Sequence, residues 1–146
     1  MFSEYKNQIS TAALLKFYDP TKPLIIQTDA SSFALGCTLL QDKGPVAYAS
    51  KTLTSTQRNY AQIEKEMLAI VFACGRFDQY LCGRSGITVE TDHSPLVSIF
   101  NKPLLKCPKR IQNMILTLQR YNILVKYKQG RNMYLADTLS LAPESL

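Results

Sequence analysis

Four acidic residues of this chain stand where a carboxylate is expensive. Asp29 closes the apolar, β-like run in L-I-I-Q-T-D-A-S-S, and Asp92 closes a second in I-T-V-E-T-D-H. Glu66 lies in an amphipathic helical stretch between them, and Asp137 follows in Y-L-A-D-T-L-S. Burial disfavours the charged form of a carboxylate unless a cation compensates. A basic chain that spends four of its eleven acids in this way points to bound divalent metal. Mg²⁺ favours carboxylate, water and phosphate oxygens. Two such ions roughly 3.5–4 Å apart activate a water and stabilise the leaving oxygen in phosphodiester cleavage. That chemistry needs no nucleophilic side chain, which suits a chain with one histidine and no Ser/His/Asp pattern.

Charge narrows the substrate. The 146 residues carry a formal charge of +6. Between His93 and Ala136 there is no acid, but there are eight bases: Lys102, Lys106, Lys109, Arg110, Arg120, Lys126, Lys128 and Arg131. A one-signed block of this kind, flanked by two of the four acids, fits a face that tracks phosphates and releases their counterions. The length and the 46% hydrophobic content suit one domain with a proper core. No apolar run reaches the eighteen or so residues of a membrane span, and no signal-peptide core is visible. Cys37, Cys74, Cys82 and Cys107 show no zinc spacing and sit mostly in apolar settings. A reducing, intracellular setting (cytoplasmic or nuclear, not secreted) is expected.

The acids need a scaffold, and the pattern supplies one. Leu24 to Ala30, Leu35 to Gln41 and Val46 to Lys51 read as three strands in an antiparallel meander. Thr54 or Ser55 can cap a long helix to about Leu81, with Ile63, Met67, Ile70, Cys74 and Phe77 as its apolar stripe. Gly83 and Gly86 close it. Ile87 to Asp92 is a fourth strand, and reaching it through a helix implies parallel pairing. Ser94 caps a short helix with Pro95 at its first position. Lys109 to Arg120 forms another helix, with Ile111, Ile115 and Leu118 inward. Asn122 to Tyr127 is a fifth strand, and a short final helix carries Asp137. The expected architecture is a mixed α/β sheet of five strands with helices packed on it. Asp29 and Asp92 then lie side by side near the centre of the sheet, with Glu66 presented from the long helix. Glu64 is the rival to Glu66. The two diverge by about 200° around a helix, and position relative to the stripe does not choose between them.

The stretches T-D-A-S-S-F-A-L-G-C-T-L-L-Q, P-V-A-Y-A-S-K-T-L-T, N-Y-A-Q-I-E-K-E-M-L-A-I-V-F-A, F-D-Q-Y-L-C-G, T-V-E-T-D-H-S-P-L and Y-L-A-D-T-L-S occur in this order. Together they resemble the ribonuclease H domain of gypsy-type LTR retrotransposon polyproteins, over about residues 12 to 142. The resemblance implies a ribonuclease H-like fold, a five-stranded mixed sheet with helices on both faces. It implies a lead-in at 1–20 from a preceding polymerase connection region, a domain at 21–142 and a tail at 143–146. The implied activity is endonucleolytic cleavage of the RNA strand of RNA–DNA hybrids with two Mg²⁺ or Mn²⁺ ions. By motif, Asp29 is the aspartate that bridges both metals, and Glu66, favoured over Glu64 by the resemblance, is the helix glutamate. Asp92 is the fourth-strand aspartate, and Asp137 is the C-terminal one on the second metal.

The implied partners are the hybrid and the reverse transcriptase domain of the same polyprotein, with no membrane. Lys109, Arg110 and Arg131 are the expected phosphate contacts. The chain has no Y-x-D-D polymerase motif, so DNA synthesis is not expected of it. It departs from the family in three places. The loop Tyr127-Lys128-Gln129-Gly130-Arg131-Asn132 lacks the histidine of cellular ribonucleases H. Met133 replaces a frequent asparagine, and Leu141 replaces a basic residue. None of these removes an expected metal ligand. The competing reading is a domesticated, inactive domain that binds nucleic acid or a polymerase partner. An integrase-type core would share the acidic chemistry, but the E-K-E-M-L-A helix between the two strand aspartates argues against it.

Overall fold

Three short β-prone runs separated by tight turns build one side of the sheet, and a helical crossover builds the other. The computed structural model describes residues 18–42 and 44–129. The elements run β1 (Leu24–Ala30), β2 (Ala34–Gln41), β3 (Gly44–Thr52), α1 (Ser55–Arg58), α2 (Gln62–Arg76) and α3 (Asp78–Leu81). They continue with β4 (Ile87–Thr91), α4 (Ser94–Phe100), a 3-10 turn (Leu104–Lys106), α5 (Lys109–Leu118) and β5 (Ile123–Tyr127). The five strands form one sheet in the order β3-β2-β1-β4-β5. β1, β2 and β3 pair antiparallel, whereas β4 is parallel to β1 and β5 is parallel to β4. The sheet is mixed, as the meander and the crossover require.

Alternation along the strands sets two faces. Leu24 and Ile26 of β1, Cys37 and Leu39 of β2, and Ile87 and Val89 of β4 share one core with Met67, Ile70 and Cys74 of α2. Leu96 of α4 and Ile111, Met114 and Leu118 of α5 complete it. The described helices α2, α4 and α5 thus pack over one face. Ile25, Gln27 and Asp29 alternate to the other face. The final helix expected to carry Asp137 lies outside the described residues.

The expected long helix from Thr54 to Leu81 is instead three helices. Two separate capping contacts explain the first break. Thr54 Oγ1 accepts from Gln57 N at 3.1 Å, and Gln57 Oε1 accepts from Thr54 N at 3.0 Å, which starts α1. Ala61 is extended, and Glu64 Oε1 accepts from its N–H at 3.0 Å, which starts α2 afresh. The apolar stripe begins at Ile63, within α2, and α1 buries none of its residues, so the stripe says nothing about the chain before α2. Phe77 leaves helical geometry and separates α2 from α3. Gly83 and Gly86, with φ of 76° and 75°, then turn the chain back into β4. Both lie in the left-handed region that side chains resist.

A second correction concerns α4. Ser94 is its first residue, not its cap; His93 holds that place, without a side-chain cap bond. Thr91 Oγ1 accepts from His93 N at 3.1 Å and keeps this turn extended, while Pro95 falls at the second helical position instead of the expected first. The chain before β1 is also docked. Gln41 brackets Asp19, accepting from its N–H at 2.8 Å and donating to its carbonyl at 2.7 Å. Arg84 Nη1 donates to Tyr18 Oη and to Pro20 O.

Candidate active site

The parallel pairing of β1 and β4 aligns Thr28 with Thr91. One step further along each strand stand Asp29, next to last in β1, and Asp92, the first residue after β4. The two aspartates therefore emerge from the same ends of neighbouring strands. Ala30 at the end of β1 is tied to the first turn of α2, where Gln62 Nε2 donates to Ala30 O at 3.1 Å. The same amide donates to Glu66 Oε2 at 2.9 Å. Gln62 thus holds the buried Glu66 against the strand end that carries Asp29.

The electrostatics show that these three acids share one place. Burial is the main cause that pushes the Glu66 carboxyl up to about 7. The Gln62 hydrogen bond opposes this, and the charges of Asp29 and Asp92 add to it. Asp29 is raised as well, first by burial and then by the Asp92 charge, against a lowering hydrogen bond from the Ala30 backbone. None of the three forms an ion pair with a described lysine or arginine. The site is a knot of negative charge held by its fold, without a described counter-charge.

Glu64 faces elsewhere. Its Oε1 accepts from Ala61 N and pairs with Arg110 Nη1 at 3.0 Å. The Arg110 guanidinium also lies over the Tyr60 ring, 4.1 Å from its centroid. Tyr60, Glu64 and Arg110 thereby clamp the start of α5 to the start of α2, just before the turn that bears Glu66. This commits one of the expected phosphate contacts to an internal bond. Arg110→Ala should lower stability by about 1 kcal/mol in urea unfolding, with Arg110→Lys recovering part of the loss. A loss of hybrid affinity at unchanged stability would instead make Arg110 a substrate contact. Lys109 stands beside it at the start of α5. Arg131 and Asp137 lie outside the described residues.

One row below the aspartates, on the same sheet face, Gln27 is in register with Glu90. Gln27 Nε2 donates to Glu90 Oε1 at 2.8 Å, and Lys128 Nζ pairs with the same oxygen at 3.6 Å. Glu90 would otherwise add a fourth negative charge near the site, and Lys128 offsets it. Lys128 N also donates to Thr91 O at 2.8 Å, so the segment leaving β5 begins alongside Asp92.

The donor set suits hard cations. It consists of carboxylates, with no described thiol or imidazole among them, and among the described residues no three acidic, histidine or cysteine side chains close into one tight coordination sphere. Mg²⁺ keeps several of its waters and takes only one or two carboxylates, so a loose oxygen set fits it where a tetrahedral zinc cage would not. The uncompensated charge on Asp29, Glu66 and Asp92 is what such ions would balance.

Gln62 is a site residue that composition and motif did not reveal. The signal was present: it precedes Glu66 by four positions on a helix, the spacing at which side chains meet.

Comparison with known proteins identifies the family. A family profile described as an RNase H-like domain found in reverse transcriptase matches residues 19–121. The chain is 38% identical over 154 residues to the retrovirus-related Pol polyprotein from transposon opus of Drosophila melanogaster, which covers 99% of the chain and 15% of that protein. It is 35% identical over 141 residues to the Pol polyprotein from transposon gypsy of the same organism, covering 95% of the chain and 13% of that protein. The chain thus spans less than a sixth of the length of either relative. Among solved structures, the foamy viral protease-reverse transcriptase in complex with RNA/DNA hybrid superposes with a TM-score of 0.61 at 23% identity. The match covers 78% of this chain and 16% of that one. At that identity the likeness concerns the fold.

Proposed function

This chain belongs to the family of RNase H-like domains found in reverse transcriptase, and from that premise we propose that it is the ribonuclease H domain of a retrotransposon reverse transcriptase, a metal-dependent endonuclease that cleaves the RNA strand of RNA–DNA hybrids. The observation that carries the proposal is the site's electrostatics: the charges of Asp29 and Asp92 bear on the buried Glu66, that of Asp92 bears on Asp29 as well, and none of the three meets a described counter-cation.

Asp29, Glu66 and Asp92, joined by Asp137, are the residues proposed to hold two Mg²⁺ or Mn²⁺ ions. When bound, such ions activate a water and stabilise the leaving oxygen of a phosphodiester. The chain's own part is to keep its carboxylates in place. Gln62 fixes Glu66 against β1, the β1–β4 pairing fixes the two aspartates, and Lys128 keeps Glu90 from adding repulsion. Lys109 and Arg131 are proposed phosphate contacts, with the basic block from Lys102 onward supplying sequence-independent attraction. The hybrid would be recognised by shape, phosphates and RNA 2′-hydroxyls. The proposed setting is intracellular, with the reverse transcriptase domain of the same polyprotein as the neighbour that shares the substrate.

The test is cleavage of a labelled RNA–DNA hybrid in Mg²⁺ or Mn²⁺, with Asp29→Asn as the control. Hybrid binding without metal-dependent cleavage would replace the enzyme by a binding domain. Cleavage unchanged by Asp29→Asn would remove the assigned site.

A further inference from the structure

The turn that follows the Asp29 strand carries an exposed aromatic ring on a backbone that cannot easily yield. Phe33 stands four residues past Asp29 in the sequence, in the connection between β1 and β2. Its residue is 53% exposed, although most large apolar side chains of the described residues are in the core. Four sets of contacts fix the turn around it. Ser31 N donates to Ala34 O at 2.9 Å. Ser31 Oγ accepts from Phe33 N at 3.2 Å and from Ala34 N at 3.0 Å. Leu53 N donates to Phe33 O at 2.8 Å, which ties the turn to the residue after β3. Lys65, buried and adjacent in sequence to Glu66, sends Nζ to Ser32 O at 3.3 Å.

This arrangement differs from an apolar residue stranded on a loose loop. The turn is bound to α2 by Lys65 and to the β3 end by Leu53, so the ring is carried on the same framework that sets the carboxylates. Holding a phenyl ring in water costs free energy that burial against a ligand returns. Nearness to the carboxylates says which ligand. Whatever phosphate lies over Asp29 brings its own sugar and base edge within reach of the next turn. Sugars and base faces offer the flat, weakly polar surface on which aromatic side chains pack, with little regard to sequence. The wide, shallow minor groove of an A-like duplex leaves such surface open.

Resting on the reading of the site as a hybrid-cleaving one, we propose that Phe33 is a substrate-binding residue: a fixed apolar prop that packs on a sugar and base edge of the hybrid beside the phosphate held at Asp29. Phe33 sets affinity at the scissile position and leaves the chemical step alone. The partner is the nucleic acid, not a protein surface.

The chain contains no tryptophan, so Phe33→Trp places a single indole reporter at the turn. Two measurements decide the proposal. In the first, steady-state cleavage of labelled hybrid by Phe33→Ala should show KM raised roughly tenfold with kcat within about twofold, while the melting temperature stays at the wild-type value and Phe33→Tyr restores KM. In the second, the Asp29→Asn/Phe33→Trp double variant is titrated with labelled hybrid, following indole emission and hybrid anisotropy together. Emission that changes in step with anisotropy supports the contact. Anisotropy that saturates while emission stays constant overturns it, as does an unchanged KM in Phe33→Ala; either result leaves the cleavage reading intact. If the wild-type chain neither binds nor cuts hybrid, the cleavage reading fails and this contact fails with it.

Discussion

Asp29→Asn will slow RNA-strand cleavage by about a thousandfold or more, and the same change will make the metal-free protein more stable, not less. The two signs come from one cause. Stabilising the charge that develops in phosphodiester cleavage is worth several kcal/mol to a metal-assisted site, and about 4 kcal/mol corresponds to a thousandfold in rate. Asparagine keeps the shape of the aspartate but removes its charge, so the proposed ions would lose a ligand while the fold loses a repulsion. Asp29 is already raised by burial and by Asp92, and it raises Glu66 in turn. Removing it eases the repulsion on Glu66. Single-turnover cleavage and thermal melting in a chelator measure the two effects separately. A variant that loses activity and stability together would mark Asp29 as a structural residue. Asp92→Asn should behave alike, because Asp92 stands at the same end of the neighbouring strand and carries no described counter-charge of its own.

How far such a site can be read from sequence differs residue by residue. Asp29 and Asp92 were legible because each ends an alternating strand, and parallel pairing of those strands follows from the helical crossover between them. The register of Thr28 with Thr91 is the structural form of that inference. Glu66 was not legible from periodicity, since Glu64 lies equally near the stripe. What separates them is local chemistry: Glu64 caps the start of α2 and pairs with Arg110, while Glu66 is held inward by Gln62. Capping also explains why one expected helix is three. A hydrophobic stripe reports which face is buried, not where the backbone restarts, and the restart depends on single side-chain bonds at Thr54 and Ala61. The second row behind the aspartates escaped for a related reason. Gln27 and Glu90 lie on two strands and Lys128 just past the end of a third, and only the sheet order brings them together. Asp137 rests on its motif, outside the described residues.

The pH dependence of stability offers the sharpest reading of Glu66. Its carboxyl is pushed up to about 7 in the folded protein, whereas an unfolded chain holds a glutamate near 4.3, roughly its ordinary value. Between those values the folded state binds more protons than the unfolded one. Linkage then makes stability fall as pH rises. The favourable contribution is complete below about pH 4 and is lost progressively as pH passes through about 7. The total is on the order of 4 kcal/mol, measurable as a decline in urea midpoint between pH 4 and 8 in the presence of chelator. Glu66→Gln should flatten that slope and leave the protein more stable at pH 8 than the wild type. Divalent metal should act in the opposite sense, because the ions and the proton compete for one carboxylate. Added Mg²⁺ or Mn²⁺ should raise the melting temperature little at pH 6 and more at pH 8, and the cleavage rate should rise through the same interval. A slope that survives Glu66→Gln would assign the proton to another group, and a metal-induced gain that does not grow with pH would separate Glu66 from the ions. The fold holds this glutamate where its charge is costly, and the proposed metal would take the place that a proton otherwise fills.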